Sequence, residues 1–287
     1  MSYRGRFAPS PTGQLHFGSL VAAVGSWLCA RHAGGQWLLR VEDIDPPREV
    51  PGSAQSILAA LPAFGLRADR PAMYQSERSA AYDAAFERLR AADLVFPCWC
   101  SRSDLAASGG MHRDGYCVAA SDPLRPSAWR MRVPDIEIVF ADGLQGEQRQ
   151  HLRETAGDFV IKRVEGFYAY QLACVVDDAD QGITEVVRGH DLLDSTARQI
   201  WLQRCLGLTT PAYLHLPLAL DGEGRKLSKS DGALPVDPMN PLPALRRALA
   251  FLDVDTSNSS HDVDALLQDA LRHFDPRALP HCSERHA

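Results

Sequence analysis

The sequence predicts an α/β fold built on a parallel sheet, interrupted by an inserted subdomain and closed by a short helical C-terminal region. Three observations carry this expectation. The chain opens as strand, turn, helix and strand, the pattern of a β-α-β unit. Residues 96–152 lose helical periodicity and gather cysteines, Gly109-Gly110 and scattered prolines. Strand-like apolar runs then resume, and helical spacing dominates toward the C-terminus.

Taken in order, Tyr3 to Phe7 is the first strand. Pro9-Ser-Pro-Thr-Gly13 supplies turn chemistry, and Leu15 to Ala33 is apolar and helix-compatible. Gln36 to Val41 is the second strand. Ser53 to Phe64 and Ser79 to Ala92 have the spacing of amphipathic covering helices, the latter with Tyr82, Phe86 and Leu89 on one face. Phe159 to Arg163, Ala173 to Asp177 and Thr184 to Arg188 read as strands returning to the sheet. Asp194 to Leu206 is a helix started by an Asp-Ser-Thr cluster, and Leu214 to Leu220 is a further strand before an Asp221-Gly222 turn. The rest reads as helical around a polar break at 256–260. The expected division is therefore 1–95 and 153–235 as two halves of one domain, 96–152 as an insertion, and 236–287 as a helical C-terminal region.

At 287 residues and 45% hydrophobic, the chain can bury a sizeable core. Its net charge of -6 argues against coating nucleic acid by bulk electrostatics, so an RNA partner would need a local basic surface. The N-terminus runs straight into a motif, leaving no room for a signal peptide, and no apolar run approaches the roughly 18 residues of a membrane span. A cytoplasmic monomer with no membrane association is expected. Cys29, Cys174, Cys205 and Cys282 are scattered singly, as small buried thiols are, and imply no disulfide framework.

Three segments carry chemistry. Arg6-Phe-Ala-Pro-Ser-Pro-Thr-Gly-Gln-Leu-His-Phe-Gly-Ser19 lies where a strand gives way to a helix N-terminus, whose unpaired N–H groups and partial positive charge suit phosphate. Gly13 and Gly18 allow close backbone approach, and His16 puts a donor in the first turn; alone, it would read as a surface or N-cap histidine. Lys226-Leu-Ser-Lys-Ser230 is a compact cationic loop after a strand and a glycine turn, fit to close over a triphosphate. Cys98-Trp-Cys100 followed by Cys117, with His112 and Tyr116 nearby, suits tetrahedral zinc, with free thiols the alternative. His112 is the expected fourth ligand on ligand chemistry and Tyr116 the alternative.

His16-Phe-Gly-Ser19 and Lys226-Leu-Ser-Lys-Ser230, about 210 residues apart, resemble the HIGH and KMSKS signatures of class I aminoacyl-tRNA synthetases. The runs Arg6-Phe-Ala-Pro-Ser-Pro-Thr-Gly and Leu39-Arg-Val-Glu-Asp-Ile-Asp45 resemble the glutamyl branch. The resemblance implies a Rossmann-like catalytic domain split by a subdomain with a structural zinc, ATP and L-glutamate as substrates, and Mg²⁺ accompanying ATP. It also implies roles for residues: Arg6, Ala8, Ser10, Glu42, Tyr170 and Arg188 against glutamate; Pro9, Gly13, His16, Gly18, Ser19 and Lys229 against ATP; His16, Ser19, Lys226 and Lys229 in catalysis. Glutamate has two carboxylates and one ammonium, and the set Arg6, Arg188, Glu42 and Tyr170 complements them, with Asp43 and Asp45 as scaffold. Two departures stand out. Ser19 occupies the place of the second HIGH histidine, and Arg113 the place where some members put a tyrosine zinc ligand.

Only 57 residues follow Ser230, too few for an anticodon-binding domain of the kind a full glutamyl-tRNA synthetase carries. That shortness, with Glu42-Asp-Ile-Asp-Pro-Pro-Arg-Glu-Val-Pro-Gly52 and Val187-Arg-Gly-His-Asp-Leu-Leu193, resembles the glutamyl-Q tRNA(Asp) synthetase family. It implies tRNA-independent glutamate activation, then transfer to the queuosine base of tRNA(Asp). The alternatives are a truncated glutamyl-tRNA synthetase charging a tRNA 3′ end and a catalytically silent RNA-binding paralogue.

Overall fold

The opening unit is β1 (Arg4–Phe7), α1 (Phe17–His32) and β2 (Gln36–Val41), with β1 and β2 parallel from Arg4 opposite Gln36 to Phe7 opposite Leu39. The computed structural model describes residues 2–101, 103–106, 109–122, 124–225, 227, 235–256 and 261–287. α2 (Ser53–Ala60) tightens into a 3₁₀ turn, Leu61–Phe64, where Pro62 stands. The turn closes on Gly65, whose φ of 72° is left-handed. β3 (Met73–Tyr74) adds to β2 in parallel, and α3 (Ser79–Ala91) buries Tyr82, Phe86 and Leu89 as its spacing requires.

The segment read as an insertion holds strands that its composition hid. β4 (Val95–Cys98) and β5 (Ala128–Met131) pair antiparallel, and β6 (Glu137–Asp142) and β7 (Gly146–His151) form a hairpin followed by the short α4 (Leu152–Thr155). β8 (Val160–Lys162) pairs antiparallel with β5, so it does not return to the parallel sheet as expected. Ala173 to Asp177 is not a strand either, but the centre of helix α5 (Tyr170–Gln181). The reason is burial: residues 171–178 are all buried, and a short apolar run enclosed on every side has no period that separates helix from strand.

β9 (Glu185–Gly189), α6 (Leu193–Leu206) and β10 (Ala212–Leu216) follow, then β11 (Leu218–Leu220), cut from β10 at Pro217. α6 starts one residue before the Asp-Ser-Thr cluster, which makes no side-chain cap. The C-terminal region is α7 (Pro241–Phe251), α8 (Val263–His273) and β12 (Glu284–His286), the last pairing in parallel with β11.

β9 and β10 are parallel, and β6 joins β10 in parallel where Asp142 meets Tyr213. Thr184 N–H donates to Arg4 O at 3.0 Å and brings β9 beside β1. The parallel strands thus run β3-β2-β1-β9-β10-β6, with helices on both faces. Trp37, Leu39, Val187 and Leu214 pack in the core formed with α1, α2, α7 and α8. Their chain neighbours Leu38, Val186 and Tyr213 pack in the core formed with α3, α5 and α6. That alternation buries both sheet faces. The strand order reverses between β1 and β9, and in open parallel sheets such a reversal leaves a crevice at the carboxyl ends of the strands.

Candidate active site

A cleft of about 710 Å³ opens at that reversal. It is lined by Arg6, Ala8, Pro9, Ser10, Gly13, His16, Gly18, Ser19, Glu42, Tyr170 and Arg188, every described residue expected against glutamate or ATP. Lys226 and Lys229, with Ser228 and Ser230, lie outside the described residues. Their described flanks sit beside the cleft: Leu227 N–H donates to Ala219 O at 3.0 Å, Val236 N–H to Leu15 O at 2.9 Å, and Pro235 bridges His16.

His16 caps α1. Its Nδ1 accepts from Ser19 N–H at 3.3 Å, and its Nε2 lies 2.9 Å from Ser19 Oγ. An accepting Nδ1 places the proton of the neutral ring on Nε2, which donates to Ser19 Oγ and leaves the serine proton to point elsewhere. Ser19 therefore orients the signature histidine. At Gly13 a Cβ would meet nothing within 4 Å, so the space beside that backbone is open to a ligand.

Arg6, on β1, is buried; Nε donates to Asp178 Oδ1 at 3.2 Å and Nη1 to Val187 O at 3.3 Å, leaving Nη2 as its remaining group. Arg40 shares the same Asp178 oxygen at 2.8 Å and reaches Gln181 Oε1 at 2.9 Å. Burial alone would raise the Asp178 carboxyl, but Arg40 and Arg6 outweigh it and hold its pKa at about 2. Glu42 differs. Its carboxylate is 3.6 Å from Arg40 Nη2, yet burial prevails over Arg40 and Arg6 and pushes its pKa up to about 7. A cation placed beside it in the cleft would favour its ionised form.

Arg188, on β9, has every N–H engaged. Nε donates to His215 Nε2 at 3.0 Å; Nη1 to Gln199 Oε1 at 2.8 Å and Tyr170 Oη at 3.3 Å; Nη2 to Thr196 Oγ1 at 2.8 Å and Leu192 O at 3.2 Å. The expected open fork toward a carboxylate is thus already occupied by protein. Burial raises the Tyr170 pKa and keeps it a protonated phenol; having accepted from Arg188, its hydroxyl has a proton to donate. Behind Arg188, His215 Nδ1 meets Asp142 Oδ2 at 2.5 Å.

Composition had not singled out Asp178, Arg40, His215 or Asp142. A signal existed for two of them: Arg40 interrupts Trp-Leu-Leu-Arg-Val in β2, and His215 stands between leucines in β10. Ionisable residues inside buried parallel strands need partners. Asp43 accepts from Ser76 N–H and Oγ at 2.9 and 2.6 Å, while Asp45, on the cleft, binds Arg163 at 2.8 Å and also Arg48.

Some way along the chain, Cys98, Cys100 and Cys117 bring their sulfurs within 4.8 Å of one another, and Cys100 and Cys117 are 3.7 Å apart. Trp99 N–H donates to Cys117 Sγ at 3.2 Å and Arg130 Nε to Cys98 Sγ at 3.3 Å. His112, expected as the fourth ligand, is not gathered into this cluster. Its buried ring packs on Phe96, and Nδ1 is bonded to Asp158 Oδ2 at 2.9 Å. Tyr116 is 63% exposed.

Residues 2–241 match the family model described as tRNA synthetases class I (E and Q), catalytic domain. A glutamyl-Q tRNA(Asp) synthetase of Xanthomonas oryzae is 57% identical over 287 residues, covering 99% of this chain and 95% of that protein. One from Burkholderia cenocepacia is 54% identical, covering 96% and 98%. Among solved structures, a glutamate tRNA ligase from Elizabethkingia meningosepticum, in complex with its amino acid, superposes with a TM-score of 0.81 at 26% identity, covering 99% of this chain and 67% of that one. The chain belongs to the class I tRNA synthetases (E and Q), a family of ligases, and within them to the glutamyl-Q tRNA(Asp) synthetases.

Proposed function

We propose that the protein activates L-glutamate with ATP as glutamyl-adenylate, without tRNA, and transfers the glutamate to the queuosine base in the anticodon loop of tRNA(Asp). The observation that carries this reading is the convergence of every described residue expected against glutamate or ATP on one cleft at the strand-order reversal. The names of relatives matched over nearly the whole chain support the acceptor.

Adenylate formation is in-line attack of the glutamate α-carboxylate on the α-phosphorus of ATP, with pyrophosphate leaving. It needs positioning and charge neutralisation, and no covalent nucleophile. Arg6 Nη2 and the Tyr170 hydroxyl are the donors for glutamate carboxylates, Arg188 acts through Tyr170, and Glu42 takes the ammonium. Ala8 and Ser10 complete that end. Pro9, Gly13, Gly18 and the His16–Ser19 pair face ATP, where the His16 Nε2–H, held by Ser19 Oγ, is shared with the phosphate as its charge grows. Lys226 and Lys229 neutralise the phosphates, and Mg²⁺ enters with ATP.

Zinc fits the three thiols. Four ligands at about 2.3 Å in a tetrahedron stand roughly 3.8 Å apart, close to the 3.7 Å between Cys100 and Cys117. N–H donors already point at two of the sulfurs, as around thiolates. A zinc held by Cys98, Cys100 and Cys117 would be structural; His112 is not proposed as its fourth ligand.

Glutamate-dependent ATP–pyrophosphate exchange without tRNA tests the first step, and absence of exchange refutes it. Labelled glutamate should pass to tRNA(Asp) containing queuosine and not to tRNA(Asp) lacking it. Charging of a tRNA(Glu) 3′ end instead would replace this acceptor with the ordinary one.

A further inference from the structure

Behind the cleft wall, two buried ionisable residues touch no part of the cavity. Asp142 closes β6, in the segment read as an insertion, and His215 lies in β10; both side chains are fully buried. Asp142 Oδ1 accepts from the backbone N–H groups of Leu144, Gln145 and His215 at 3.1, 3.0 and 3.2 Å. Its Oδ2 faces His215 Nδ1 at 2.5 Å. A carboxylate has no proton to give, so Nδ1 must carry the ring proton, and Nε2 is left as the acceptor that Arg188 Nε reaches at 3.0 Å.

We infer that Asp142 and His215 are positioning residues for glutamate recognition: Asp142 selects the His215 tautomer that receives Arg188, and Arg188 so held turns the Tyr170 hydroxyl toward the substrate. This rests on reading the cleft as the glutamate pocket. With Nε occupied by His215, the guanidinium plane is set, and Nη1 reaches Gln199 Oε1 and Tyr170 Oη together. Were Nε2 protonated, it would face Arg188 Nε–H donor to donor, and the guanidinium would have to turn. The Tyr170 hydroxyl would lose the partner that fixes its direction. The β6 end thereby belongs functionally to the cleft.

The test uses near-isosteric changes and the full chain. In Asp142→Asn the amide oxygen remains with the three backbone N–H groups, so its NH₂ faces His215 Nδ1 and forces the proton to Nε2. KM for glutamate in pyrophosphate exchange should rise roughly tenfold or more, with KM for ATP within about twofold. Adding His215→Gln should recover most of that loss, because an amide oxygen accepts from Arg188 whatever stands at 142. A general packing defect would be deepened by the second change. Should Asp142→Asn prove unfolded in circular dichroism, the pair His215→Gln and His215→Leu decides: KM for glutamate should be at least about fivefold higher in the leucine variant, which offers no acceptor. If the unaltered protein shows no glutamate-dependent exchange, the pocket reading fails and takes this inference with it. If it exchanges normally but Asp142→Asn keeps its KM for glutamate, or the double variant is no better than the single, or leucine equals glutamine at 215, the relay alone is overturned.

Discussion

Arg6 and Arg188 line the same cleft from adjacent strands, yet they are held by opposite means. Arg6 meets a carboxylate directly: Asp178 lies against it and against Arg40, so two guanidinium groups share one counter-charge and Arg6 keeps a group for the cleft. Arg188 donates only to neutral acceptors, and the carboxylate of Asp142 stands one imidazole away behind His215. The first wall is a charge cluster that hydrogen bonds stabilise; the second is a hydrogen-bond lattice that carries a charge. A buried arginine can therefore serve as a ligand donor or as the rigid backing of one, and which it is depends on how many of its N–H groups the protein has already used.

Breaking the charge cluster should have the largest effect. Asp178→Ala leaves Arg6 and Arg40 buried without their shared counter-charge, and should cost about 3–5 kcal/mol in urea-induced unfolding. An unchanged denaturation midpoint would mean that the two arginines find other compensation.

Glu42 sharpens the comparison through pH. Its pKa of about 7 means that the empty cleft holds it partly protonated near neutrality, while a bound ammonium needs it ionised. kcat/KM for glutamate should then fall by about tenfold per unit as pH drops below that value. Glu42→Gln should abolish this dependence along with most of the affinity. The sign for stability is the reverse. A carboxyl whose pKa is raised on folding weakens the fold when ionised, fully so above about 7 and not at all below its unfolded value. The variant should therefore melt a few degrees higher at pH 8 and show no advantage near pH 4. A variant less stable at pH 8 would show that Arg40 and Arg6 outweigh burial.

Ser19→Ala should have the smallest effect. It removes one hydroxyl that orients His16, while the Ser19 N–H bond to Nδ1 remains. A loss of about 1 kcal/mol, roughly fivefold in kcat of exchange with KM for glutamate unchanged, is expected. A loss of a thousandfold would instead place the serine hydroxyl on the reacting phosphate.

Much of the site was legible because it is written in local patterns. The His16 turn, the strand ahead of it and the Glu42 run each lie within a few residues of a strand end, where side chains reach the crevice of a parallel sheet. Arg188 could be located but not understood, since its five partners come from β10, α5, α6 and the turn before α6. The strands beyond the cysteines were illegible because β6 and β7 expose half of their residues and carry charged side chains among them, while β5 is only four residues long. Helix α5 was misread because the run Ala173 to Asp177 is short, enclosed and holds two adjacent valines, which local propensity assigns to a strand.

Sequence alone determined the β-α-β opening, the two signature motifs and the cysteine triad, since each depends on short-range order, and the resemblance named residues from Arg6 to Arg188 that the fold brings to one cleft. Tertiary structure decided which arginine keeps a group for the cleft, that His112 stands apart from the three thiols, and that Asp142 reaches the site through β6 and β10. Those outcomes depend on side chains tens to more than a hundred residues apart competing for the same donors and acceptors, and that competition exists only once the chain has closed on itself.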